Sequence, residues 1–159
     1  MPNTIVTRPA QREDLPQISA MIEQLANHHD DTAVVDIEVL SDLIFEQHPW
    51  VFASVATLRQ KPIGYVVTCP LIQLQWSQKG VDIHHLFVDA AHRGQGVGKQ
   101  LVRTAIEDAK TRGCTYVTIG TAHDNTAAQA AYQAMGFTQL AAPGPRFRIR
   151  VDGPLSNGN

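Results

Sequence analysis

The chain has 159 residues, 43% of them hydrophobic and 18% charged, with a formal net charge of -2, so it suits one globular domain around one core and gives no indication of an electropositive surface for nucleic acid. No apolar run approaches the roughly 20 residues that cross a bilayer, and Met1-Pro2-Asn3-Thr4 lacks the basic run and apolar stretch of a signal peptide, so no membrane partner and a cytoplasmic location are expected. Cys69 and Cys114 stand far apart without a CxxC, which reads as two free thiols in a reducing compartment.

Ile5 to Arg8 reads as a short strand. Asp14 then offers an N-cap, Pro16 is tolerated in a first turn, and Gln17 completes a capping-box spacing. Leu15, Ile18, Met21, Ile22 and Leu25 recur at helical spacing, and the polar run Asn27-His28-His29-Asp30-Asp31 ends that helix. A second helix, capped near Asp36, carries Val39, Leu40, Leu43 and Ile44. Trp50 to Leu58 and Ile63 to Thr68 read as a hairpin across the turn-like Arg59-Gln60-Lys61-Pro62, with Pro70 marking the end of the second strand. Gln73 to Gly80 reads as a polar loop and Val81 to Val88 as a third long strand. Gly96 to Arg112 is a predicted helix with Val97, Leu101, Val102, Ala105, Ile106 and Ala109 on one face and Gly113 as its C′ residue. Tyr116 to Gly120 is a predicted strand, Thr126 to Met135 a helix closed by Gly136, and Phe137 to Leu140 and Phe147 to Val151 closing strands.

This order of elements predicts an α/β or α+β layer arrangement, a mixed, mostly antiparallel central sheet flanked by helices. Residues 1–151 are expected to form one domain, with 152–159 as a Gly/Pro/Asn/Ser-rich disordered tail.

Arg93-Gly94-Gln95-Gly96-Val97-Gly98-Lys99 joins the third long strand to the following helix. Glycines permit positive φ and close approach to a ligand, while the helix start presents unpaired N–H groups and partial positive charge. These are the ingredients of a phosphate site, with Arg93 and Lys99 adding full charges. A dinucleotide fingerprint fails because Lys99 stands where its third glycine is needed. A P-loop fails because Arg93 occupies its first glycine and Gln100 follows Lys99. A pyrophosphate loop of the form Arg/Gln-x-x-Gly-x-Gly/Ala matches Arg93, Gly96 and Gly98; a purely structural glycine-rich turn is the alternative.

His85-Leu86-Phe87-Val88-Asp89 followed by this loop resembles the acetyl-CoA motif of the GNAT superfamily of N-acetyltransferases. A second element, Asn125-Thr126-Ala127-Ala128-Gln129-Ala130-Ala131-Tyr132 through Gly136-Phe137, resembles the family pattern of Asn, Ala, Tyr and Gly-Phe at set offsets. The resemblance covers about residues 4–151 and implies transfer of an acetyl group from acetyl-CoA to an amine. It implies that the pyrophosphate lies on the backbone of Arg93, Gly94, Gln95, Gly96, Val97, Gly98 and Lys99. The pantetheine arm would lie beside Leu86, Phe87 and Val88, with Asn125, Ala128 and Tyr132 completing the coenzyme site. The Val88 N–H would support the oxyanion, and Tyr132 would protonate the departing thiolate.

The base is open at this level. Strand alternation puts Asp82, His84, Leu86 and Val88 on one face and His85 on the other, unless a β-bulge exchanges the two histidines. The resemblance points to His84 and Asp82, with His85 or an ordered water as alternatives. No cysteine falls in either motif, so direct attack in a ternary complex is expected rather than an acyl-enzyme. The seven histidines form no HExxH or Cys/His framework, and no metal is expected.

By family analogy the Asn27 to Thr32 loop shapes the acceptor side, where Asp30 and Asp31 would attract a cationic small-molecule amine of polyamine or aminoglycoside character. Trp76 would cap that side or pack on the sheet. Dimers are common in the superfamily, so a homodimer is a further expectation. The alternatives are acetylation of a protein or peptide amine, a non-catalytic acyl-CoA-binding module, and a nucleotide-binding domain built on the glycine loop.

Overall fold

The structure, a computed structural model, describes residues 3–142 and 144–152. Apart from Asp152, the tail expected from 152 lies outside the described residues. The chain divides into two compact units that meet in sequence at Gly120 and Thr121.

The first unit contains β1 (Ile5–Pro9), α1 (Leu15–His28), α2 (Ile37–Phe45), β2 (Phe52–Leu58), β3 (Lys61–Gln73), β4 (Gln78–Val88), α3 (Val97–Thr111) and β5 (Tyr116–Ile119). The five strands form one sheet in sequence order, antiparallel except for the parallel pair β4–β5. This is the mixed α/β arrangement expected from the order of elements. No helix among the described residues is long and apolar enough to cross a membrane.

Hydrophobic burial organises two faces. Ile18 and Met21 of α1 pack with Val55, Tyr65, Val67 and Phe87, all buried. On the other face α3 buries Val97, Leu101, Val102, Ala105 and Ala109. Gly64 is required there, because a Cβ would lie 2.8 Å from the Phe87 carbonyl oxygen and 3.2 Å from Leu101 Cδ1.

Asp36 caps α2 as expected, its carboxylate accepting from the N–H groups of Glu38 and Val39. Asp14 precedes α1 but has helical backbone angles and no side-chain cap bond to that helix. Its carboxylate instead accepts the Gln11 N–H at 2.8 Å and the Arg8 guanidinium at 2.6 and 2.9 Å. The expected capping box with Gln17 therefore gives way to one turn upstream, because a buried carboxylate gains more from a bidentate arginine.

Arg59 and Gln60, both with positive φ, form a two-residue turn, so β3 begins at Lys61. β3 then runs through Pro70 to Gln73 rather than stopping at Pro70. β2 begins with Phe52 opposite Thr68, so Pro70 has only β4 beside it and its missing N–H removes no bond to a second neighbour. The expected loop from Gln73 to Gly80 shrinks to the tight turn Leu74–Trp76, closed by Ser77 at φ 50°. Trp76 lies exposed in that turn, not packed on the sheet.

In the second unit, α4 (Thr126–Ala134) is capped by Asn125 and ends at Gly136. The closing strands expected at 137–140 and 147–151 do not form. Phe147, Ile149 and Val151 alternate as a strand would, yet they are 96%, 73% and 84% exposed. Alternation supplies a face, but a strand also needs a ladder partner, and none occurs in this unit among the described residues.

Candidate active site

The loop from β4 to α3 is built by backbone conformation. Arg93 is extended, Gly94 and Gly96 have φ of 75° and 81°, and α3 starts at Val97. Gly96 is the N-cap residue and has no side chain with which to cap, so the N–H groups of the first turn, Val97 to Lys99, are left for an external acceptor. The first turn passes Val88, whose Cγ2 lies 3.8 Å from where a Cβ on Gly98 would stand. Arg93 Nε donates to the Val88 carbonyl at 2.9 Å and its guanidinium lies 5.5 Å from the Phe87 ring centre, tying the loop back to β4. Gln95 and Lys99 are exposed. Unpaired N–H groups flanked by Arg93 and Lys99 are a donor set that fits a pyrophosphate.

The adjoining strand offers a second row of donors and acceptors. Among the described residues β5 pairs with β4 only from Gly80↔Tyr116 to Ile83↔Ile119, so His85 to Val88 have β3 as their one ladder partner. The 2.8 Å bond from the Asp89 N–H to the Ile63 carbonyl marks a hydrogen-bonded pair. Antiparallel alternation makes Gly64↔Val88 a non-hydrogen-bonded pair, so the Val88 N–H and carbonyl point away from β3. Acceptance by the Val88 carbonyl of the Arg93 bond agrees with this direction. An amide-bearing arm laid along this edge would meet strand-like partners at Leu86 and Val88.

A β-bulge interrupts the same strand. Val67 pairs with His85 and Thr68 with Ile83, leaving His84 as the inserted residue. The shared face expected for Asp82, His84, Leu86 and Val88 is therefore corrected. Asp82, opposite Cys69, and His85, opposite Val67, share the α1 face, while Leu86 and Val88 lie on the other. His84 is exposed, and its ring stacks on that of His85 with centroids 4.4 Å apart and planes 8° apart. The Tyr65 hydroxyl lies 3.1 Å from His85 Nδ1. Burial first, then the neighbouring His84 and His29, pushes the His85 imidazole down to about 4, while burial pushes the Tyr65 phenol up. Asp82 Oδ1 accepts the Thr118 hydroxyl at 2.6 Å.

In the second unit, Asn125 Oδ1 accepts the Ala128 N–H at 3.1 Å as the helix cap. Phe137 N–H bonds to the Tyr132 carbonyl and Gly136 N–H to the Gln133 carbonyl, each at 3.0 Å, closing α4 in a Schellman motif. Tyr132 and Phe137 meet edge to face at 6.1 Å between centroids. Burial raises the Tyr132 phenol, keeping it protonated at neutral pH.

Sequence reading missed the Tyr65–His85 contact, the Asp82–Thr118 bond and the Arg93–Val88 tie. Each depends on long-range register or on a side chain folding back, and only the bulge alternative at His84-His85 hinted at the first. Among the described residues, no three His, Cys, Asp or Glu side chains are grouped to hold a metal.

An uncapped helix start beside a strand edge that is open past Ile83, on a mixed sheet, is an arrangement whose donors fit a phosphate-bearing ligand. The acetyltransferase (GNAT) family model matches residues 17–137. The chain belongs to this family. It is 39% identical over 83 residues to human N-acetyltransferase 8, a match covering 52% of this chain and only 37% of that protein. Its fold matches an aminoglycoside acetyltransferase from an uncultured soil metagenomic sample, solved with trehalose, at TM-score 0.78 and 19% identity over 93% of this chain and 98% of that one. It also matches AAC(6')-Iy, solved with the bisubstrate analogue CoA-S-monomethyl-acetylneamine, at TM-score 0.73 and 22% identity over 93% and 99%.

Proposed function

We propose that this protein transfers the acetyl group of acetyl-CoA to a primary amine of a small molecule, by direct attack in a ternary complex. The observation that carries this reading is the pairing of an uncapped α3 start with an outward-pointing Val88 N–H at the end of β4. One site recognises a pyrophosphate; the other provides a donor for charge developing on a carbonyl oxygen. When bound, acetyl-CoA supplies an activated acyl carbon and a thiolate leaving group.

The chain's own residues then have distinct tasks. Gly94, Gly96 and the N–H groups of Val97 to Lys99, with Arg93 and Lys99, hold the phosphates, and the Leu86–Val88 edge orients the pantetheine arm. Asn125 and Ala128 form a capped helix start that would serve the same coenzyme. Tyr132 protonates the leaving thiolate, a task suited to a phenol that burial keeps protonated. His84 or Asp82 takes the proton from the amine. Family membership across residues 17–137 supports treating residues 1–151 as one catalytic domain. A cationic acceptor of aminoglycoside or polyamine character suits the Asp30-Asp31 loop, and two of the similar solved structures are of one aminoglycoside acetyltransferase, with trehalose and with sisomicin.

Titration calorimetry with acetyl-CoA, NAD and ATP tests the coenzyme half. Selective acetyl-CoA binding is expected; equal or stronger binding of NAD or ATP would contradict it. An amine panel with acetyl-CoA, read by product mass, tests the transfer half.

A further inference from the structure

We infer that His85 is a hydrogen-bond donor to the acceptor substrate through Nε2–H, held in that tautomer by the Tyr65 hydroxyl, and that it is not the base. The word "acceptor" rests on the acetyl-transfer reading above; the tautomer rests on geometry alone.

Tyr65 is fully buried, and among the described residues its hydroxyl has one partner, His85 Nδ1 at 3.1 Å. A buried O–H that donates to nothing is unfavourable, and neutral Nδ1 is the acceptor in reach. The phenol therefore donates, Nδ1 accepts, and the ring proton resides on Nε2. Both groups are neutral near pH 7: burial holds the phenol proton on, while burial together with His84 and His29 keeps the imidazole uncharged. An imidazole in this state has no lone pair on Nε2 with which to take a proton.

The Nε2 atom is left available. It has no hydrogen-bond partner among the described residues, and it is not among their buried unpartnered atoms. His84 lies flat against the ring and does not meet it in its plane, where an N–H donates. The bulge places the His85 ring on the α1 face, near His29 at the α1 C-terminus and three residues before Val88. The phosphate-binding loop opens α3, which packs on the opposite face. A neutral donor on the α1 face suits a hydroxyl, ether or carbonyl oxygen close to the reacting amine. Tyr65 is thus a positioning residue, and the base falls to His84, Asp82 or an ordered water.

Nitrogen-15 NMR of the histidine rings in the substrate-free protein at pH 7 tests the assignment. His85 should show a pyridine-like Nδ1 and a proton-bearing Nε2, and Tyr65→Phe should give a mixture of tautomers. A proton on Nδ1 in the unsubstituted protein, or a Tyr65→Phe spectrum unchanged from it, would overturn the inference. In kinetics, His85→Ala should raise KM for a hydroxyl-bearing amine about five-fold relative to its deoxy counterpart, the size of one lost hydrogen bond. His85→Gln, which restores an N–H near the Nε2 position, should recover most of that loss and keep the acid limb of the kcat/KM profile. Disappearance of that limb in His85→Gln would make His85 the base after all. If no amine is acetylated, the acetyl-transfer reading fails, while the substrate-free spectrum still decides the tautomer.

Discussion

Asp14 is 5% exposed and anchors the entry to α1 through the Arg8 fork and the Gln11 N–H. Burial opposes its charge, but the Arg8 and Gln11 bonds prevail and hold the carboxyl below its usual range. The unfolded carboxyl titrates near 3.9, so this contribution to stability is complete above about pH 4 and is lost as the pH falls through the lower folded value. Asp14→Asn should cost about 2 kcal/mol at pH 7 in denaturant unfolding, with a smaller loss below pH 3. His85 acts at milder acidity. Its folded value of about 4 lies below the unfolded value near 6.5, so the unfolded state binds the extra proton between them. Stability should fall as the pH drops from about 6.5 to 4, and thermal unfolding of His85→Gln should show a flatter slope there. Tyr132→Phe should lower kcat about 100-fold while leaving the Kd for acetyl-CoA within two-fold, since it removes a proton donor and keeps the ring. Equal turnover by the two proteins would remove Tyr132 from the mechanism.

Element by element, the sequence was most legible where local chemistry determines structure. Gly113 and Gly136 both close Schellman motifs at positive φ, and both were readable as helix ends from the glycine itself, Gly113 also from the periodic apolar face before it. The spacing of Asn125, Ala128, Tyr132 and Gly136-Phe137 is itself the grammar of a capped helix. Asn125 caps Ala128, and Tyr132 meets Phe137 across the terminal turn. What remained hidden was pairing at a distance. Nothing local to His84 shows that Val67 and Thr68 will straddle it, and nothing local to Phe147 shows that a partner strand is missing. Gly64 is a sharper case of the same kind. Its need for hydrogen comes from the Phe87 carbonyl and Leu101, both far along the chain, and Gly64→Ala should destabilise by about 1–3 kcal/mol in urea unfolding.

Across the molecule, the strand, glycine loop and helix start of the proposed coenzyme site were legible as elements, because they are contiguous in sequence. The arrangement proposed for the acceptor side was not, because it depends on which face each β4 side chain takes, and a single inserted residue reverses that order. Acetyl transfer is measured by thiol release from acetyl-CoA across a broad panel of amines. At least one amine should raise thiol release well above the enzyme-only rate, with one acetylated product formed per thiol. Saturable acetyl-CoA binding with no amine raising thiol release above that rate would contradict acetyl transfer and leave the chain as a coenzyme-binding module.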